Sequence, residues 1–106
     1  MTKRKIKQAT GNYEEWLTHT LKNKQEAAAY LQIALKEYQK DGALESFLLA
    51  LRHIADAQGG IGKLSKKTHL NREGLYKTLS SKGNPKLQTI GLLLKELGFE
   101  FFIKAA

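Results

Sequence analysis

The sequence contains no cysteine. That excludes a disulfide framework, thiolate metal sites and thiol catalysis, and it fits a reducing compartment. Apolar runs such as the triplet Leu92, Leu93, Leu94 fall far short of the roughly 18 residues that span a bilayer. The N-terminus is basic but has no apolar segment, so it does not read as a secretory signal, and the expected location is the cytoplasm. The three histidines, His19, His53 and His69, stand far apart, with neither HxxxH nor HxxE spacing, so no zinc site is expected. The GGIG at 59–62 lacks the preceding strand and the following Lys-Ser or Lys-Thr of a phosphate-binding loop. Ser46, Ser65, Ser80 and Ser81 have no accompanying base-and-orienter pattern. No enzyme, cofactor or metal signature is left.

What the sequence does have is positive charge. Its 106 residues and 11.9 kDa allow one domain with a modest core. Eighteen Lys and Arg against ten acids give a net charge of +8. For so small a chain this points to an anionic partner, nucleic acid first and an acidic protein or membrane surface next. The charge is unevenly spread. Residues 23–59 are near neutral, with four bases and five acids, whereas residues 60–106 carry nine bases and three acids. Within 60–72 lie Lys63, Lys66, Lys67 and Arg72 and no acid at all.

The apolar pattern has helical period almost throughout, which predicts an all-α bundle of five to six helices. Residues 1–11 have no such period and read as a disordered basic arm. Residues 12–106 form the single domain. Asn12 and Glu15 carry N-cap chemistry for a short helix over about 13–21, with Tyr13 and Trp16 as its apolar anchor. Asn23 and Glu26 repeat that start for a long helix stopped near Asp41 and Gly42. Leu44, Phe47, Leu48, Leu51, Ile54 and Ala55 line the next helix, 43–57. Leu49 and Ala50 widen its stripe, so it is expected to be the most enclosed, and Gly59 and Gly60 end it. His53 falls beside that buried face and is expected to be structural. Short helices follow at 61–67 and, capped by Asn71, at 72–80. The SKGNP loop at 81–85 leads to a helix over 86–97, with Asn84 as its cap and Gly98 as its stop. The last residues change to a period of two. Phe99, Phe101 and Ile103 alternate with Glu100, Phe102 and Lys104, which predicts a strand over 99–104. A lone strand needs a partner, such as a second copy at a dimer interface or another protein's sheet, unless the segment packs as an extended tail.

Two short helices joined by a three-residue turn make a helix-turn-helix pattern, at about 61–80. In that arrangement the first helix crosses the DNA backbone and the second lies in the major groove. Inward positions on the second helix go to Leu75 and Leu79. Asn71, Arg72, Glu73, Tyr76 and Lys77 are therefore the candidates for base readout. Arg72 can donate two bonds to guanine O6 and N7, and Glu73 can accept from cytosine N4. Gly74, a poor helix former, would serve a close approach of helices or of DNA. Lys63, Lys66 and Lys67, then Lys82, Asn84 and Lys86, are the candidates for phosphate contact.

The stretch LSKKTHLNREGLYKTLSSKGNPKLQTIGLLLKELGFEF resembles the helix-turn-helix of Xre-like repressors. More closely, together with the upstream AAAYLQIALKEY and FLLALRHIADAQGGI segments, it is similar to the "probable addiction module antidote protein" family, of HigA type, over about residues 14–101. The resemblance implies a lambda-repressor-like helix-turn-helix in an all-α fold. It also implies a cytoplasmic, usually dimeric DNA-binding repressor that acts as the antitoxin to a small RelE/HigB-like toxin. The family usually has Gly where this chain has His69, which implies a turn residue with positive φ and makes His69 a strained turn residue rather than a ligand. Two other functions compete with an operator-binding antitoxin: a toxin neutraliser with little DNA binding, whose acid-rich helices suit a basic toxin, and a solitary Xre-like transcription factor.

Overall fold

A computed structural model describes residues 10–106, with side chains from residue 12. The basic arm assigned to residues 1–11 lies outside the described residues apart from its last two, whose backbone begins the first helix. Six α-helices follow one another among the described residues: α1 Thr10–Thr20, α2 Lys24–Asp41, α3 Leu44–Ala57, α4 Ile61–Thr68, α5 Arg72–Thr78 and α6 Leu87–Glu96. No strand occurs among them, and the all-α bundle expected from the apolar period is what forms.

Local chemistry explains most of the boundaries. Asn23 sits in extended backbone and its side chain accepts from the Glu26 N–H at 2.9 Å, which fixes the start of α2. Gly42 ends that helix in the left-handed region, at φ 74°, with its N–H on the Tyr38 carbonyl. Gly59, Gly60 and Gly98 also have positive φ, at the end of α3, the start of α4 and the end of α6. Two expected caps fail. Asn12 lies inside α1, which starts two residues before it. Lys86, not Asn84, holds the N-cap position of α6 and makes no side-chain bond there.

Helix α3 is the centre of the bundle. It buries Phe47, Leu48, Ala50, Leu51, Ile54, Ala55 and Ala57, and α1, α2 and α4 all pack against it. Two apolar expectations need correction. Leu49 is 53% exposed, on a side of α3 left open by the described residues. Trp16 is 52% exposed and stacks on Tyr13, with ring centroids 5.9 Å apart. Leu17 and Leu21, not the aromatic pair, anchor α1 to the core. The expected C-terminal strand is also absent. The Phe99 N–H bonds to the Leu94 carbonyl and its ring packs on the core, but residues 100–106 have no regular structure and Phe101, Phe102 and Ile103 are exposed. A strand needs a ladder partner, and the helices offer none.

The turn between α4 and α5 is tightly fastened. Ser65 Oγ donates to the Leu70 carbonyl at 2.6 Å, and Thr68 Oγ1 donates to the Leu64 carbonyl at 2.8 Å while accepting from the Leu70 N–H. These bonds hold His69 at φ 61°, the positive value expected of it. His69 is exposed and no other non-glycine residue among those described has positive φ. A side chain there costs on the order of 1 kcal/mol. His69→Gly is expected to recover about that much, seen as a rise of roughly 4–8 °C in the thermal midpoint. An unchanged or lower midpoint would mean the turn carries no strain.

Candidate nucleic-acid interface

Helix α4 is amphipathic over its whole length. Ile61, Leu64 and Thr68 are buried, while Lys63, Lys66 and Lys67 are exposed. The turn then presents α5 beside it. Asn71 Oδ1 accepts from the Gly74 N–H at 2.9 Å, so this side chain caps α5 and leaves only its amide hydrogens free to reach outward. Leu75 and Leu79 point into the core at 2% and 1% exposure. The opposite face carries Arg72, Glu73, Tyr76 and Lys77, all exposed. Gly74 does not mediate a close approach of helices: a Cβ there would meet only Asn71, at an ordinary 3.7 Å. Its contribution is the N–H that Asn71 caps.

Tyr76 is the meeting point of two elements. Its ring lies 6.0 Å from the Arg72 guanidinium carbon, one turn back on α5, and 4.8 Å from that of Arg52 on α3. The Arg72 guanidinium also lies over Gly62 of α4, where a Cβ would stand 3.7 Å from it. Arg72, on α5, therefore also lies close to α4.

The three lysines of α4 do not share one environment. Lys66 follows Gly62 by one turn, on the side that faces α5. Lys63 and Lys67, one turn apart, line a cleft with Lys24, Gln58 and Glu96 at the far side of α4. Lys24 Nζ donates to the Leu97 carbonyl there and lies 5.7 Å from the Phe99 ring, which closes the C-terminus of α6. Gln58 bridges to α1 by donating to the Leu21 carbonyl at 2.7 Å.

Lys82, Asn84 and Lys86 are exposed on the connection from α5 to α6. Ser80 Oγ donates to the Lys77 carbonyl at 2.7 Å and accepts from the Lys82 N–H at 3.3 Å, and the Gly83 N–H returns to the Ser80 carbonyl at 3.0 Å. No side chain caps the first amides of α6, next to Lys86.

His53 takes no part in this face. Its Nδ1 lies 2.8 Å from the Tyr30 hydroxyl, which donates to it in the tautomer that carries its proton on Nε2 and accepts from it in the other. Burial lowers the His53 pKa from its ordinary value and raises that of Tyr30. Both shifts favour the neutral pair, and His53 acts as a structural group joining α2 to α3. Among the described residues no three His, Asp or Glu side chains gather as a metal site, and no helix is long and apolar enough to cross a membrane.

Arg52 is the residue at this face that sequence reasoning missed. It lies in the near-neutral stretch, and Asp56 four residues on suggests an ordinary helical ion pair, which is present at 3.5 Å. Nothing local shows that its guanidinium reaches across to α5.

The family model described as "Probable addiction module antidote protein" matches residues 13–105. A Haemophilus influenzae protein described as "Uncharacterized protein" is 34% identical over 74 residues, which cover 70% of this chain and 75% of that one. No solved structure matches the chain.

Proposed function

Because the chain belongs to the probable addiction module antidote protein family, we propose that it is the antitoxin of a type II toxin–antitoxin module, of HigA type, that binds its own operator as a dimer and neutralises a RelE/HigB-like toxin. The observation that carries the DNA part is the outward face of α5. Arg72, Glu73, Tyr76 and Lys77 stand exposed over buried Leu75 and Leu79, beside an acid-free helix of exposed lysines. A cationic surface with a short helix at its front fits the major groove, where Arg72 and Glu73 meet base edges. The lysines of α4 and Lys82, Asn84 and Lys86 supply the salt-dependent hold on phosphates. In the dimer two copies of α5 stand about one DNA turn apart over a palindromic site.

An electrophoretic shift of the fragment upstream of the gene, titrated with salt and with random competitor, tests this. Wild-type protein should retain the fragment under competitor excess. Arg72→Ala should cost about 1–3 kcal/mol on that site and relax the preference at one base pair. Equal loss on specific and random duplexes would remove Arg72 from base readout.

The exposed tail supports a toxin contact. Phe101, Phe102 and Ile103 are 49%, 78% and 97% exposed, and among the described residues none pairs with their backbone. Strand addition to the edge of a partner sheet would cover both. Deletion of residues 101–106, which leaves Phe99 on the core, should preserve the helical circular dichroism signal and the DNA shift. It should reduce recovery of the co-expressed neighbouring gene product at least tenfold. Undiminished recovery would place the toxin contact elsewhere, and loss of the DNA shift would assign the tail to the dimer.

A further inference from the structure

We propose that Arg52, on the central helix and outside the helix-turn-helix, is a positioning residue for sequence readout. It fixes the ring of Tyr76, and through that ring the guanidinium of Arg72. This rests on the DNA-binding role proposed above.

Three observations converge. The Arg52 guanidinium carbon is 4.8 Å from the centroid of the Tyr76 ring, inside the range of a cation–π contact. The Arg52 side chain is only 32% exposed, and its Nε is buried 3.5 Å from Asp56, with no hydrogen-bond partner among the described residues. Arg72 is drawn to the same ring and rests over Gly62, where the missing side chain leaves room for it. Arg52 is therefore kept at the ring by the partial burial of its side chain and by the Asp56 carboxylate beside Nε, at one edge of the guanidinium.

The consequence for α5 follows from its size. It is a seven-residue helix, anchored inward by Leu75 and, just past its end, Leu79, and those contacts leave the outward side chains free to choose rotamers. An arginine that must present its fork to two guanine acceptors loses affinity for every rotamer it has to abandon. A Tyr76 ring pinned from α3 removes some of that freedom before DNA arrives. The two guanidinium groups, both drawn to one ring, also repel each other, which favours an Arg72 orientation directed away from α3. Arg52 itself touches no base in this scheme.

The experiment uses a duplex that the wild-type protein selects from a randomised pool, and a random duplex of equal length. The proteins are wild type, Arg52→Met, Arg52→Lys and Tyr76→Leu, together with the Arg52→Met, Tyr76→Leu double variant. Methionine keeps the stem and the helix propensity, so the fold is retained, and thermal melts check this. Arg52→Met is expected to bind the selected site about fivefold more weakly and the random duplex as wild type does, with an unchanged slope of affinity against salt. Arg52→Lys, which keeps the cation, should recover part of the loss. In the Tyr76→Leu background Arg52→Met should cost nothing more, because the ring through which it acts is gone. An equal loss on both duplexes, with the salt slope reduced by about one unit, would make Arg52 a phosphate contact and overturn the assignment. A loss that persists in the Tyr76→Leu background, or no loss at all, would overturn it too. Should the wild type select no sequence from the pool, the DNA-binding role itself falls, a result distinct from all of these.

Discussion

Gly83→Ala is expected to destabilise the chain by about 3 kcal/mol, a fall on the order of 15 °C in the thermal midpoint. A Cβ at Gly83 would stand 2.0 Å from the Thr78 carbonyl oxygen, 2.7 Å from its carbon and 3.0 Å from the Lys77 oxygen. These are backbone atoms at the end of α5, so no rotamer change relieves the collision. Either the last turn of α5 unwinds or the loop carrying Lys82, Asn84 and Lys86 swings away. Both outcomes move candidate DNA contacts, so binding should weaken alongside stability. Gly91 in α6 is the internal comparison, since a Cβ there meets nothing within 4 Å. Alanine at Gly91 should be neutral or stabilising by up to about 1 kcal/mol. If Gly83→Ala melts with the wild type, the loop does not press on α5.

The second large effect is electrostatic. Replacing Lys63, Lys66 and Lys67 together with glutamine should weaken binding to every duplex, roughly a hundredfold near physiological salt, and flatten the plot of log affinity against log salt by about 2.7 units. The reason is counterion release: each phosphate neutralised by a lysine frees part of a condensed cation, whatever the base sequence. Stability should change little, because all three side chains are exposed. The division of the trio makes the slope informative. Lys66 lies on the α5 side of α4, while Lys63 and Lys67 share a cleft with Lys24 and Glu96. A slope change of about 0.9 would restrict phosphate contact to one lysine, and no change would remove α4 from the interface.

Short-range chemistry was legible before any coordinates. Asn23 with Glu26 starts a helix, and Gly42 and Gly98 each end one, through bonds or dihedrals within a few residues of themselves. The positive φ at His69 was legible only through the family resemblance, which implies Gly at that turn position. Asn12 and Asn84 show the limit of such signals. Both have the side chain of a cap, but the direction in which the chain enters the helix decides which residue is used. The exposure of Leu49 and Trp16 was not legible either. The apolar period tells which residues share a face, but it does not say where the neighbouring helices stop covering that face.

By itself the sequence determined the helices, most of the inward leucines and the basic composition of the C-terminal half. These follow from periodicity, capping and charge, all of which act over a few residues. Only the tertiary structure decided which charges stand together. It set Arg52 against Tyr76 across 24 positions, parted Lys66 from Lys63 and Lys67, and pressed Gly83 on the end of α5. The physical reason is that a cation–π contact, a shared cleft and a collision depend on distances through space, and packing around α3 sets those distances.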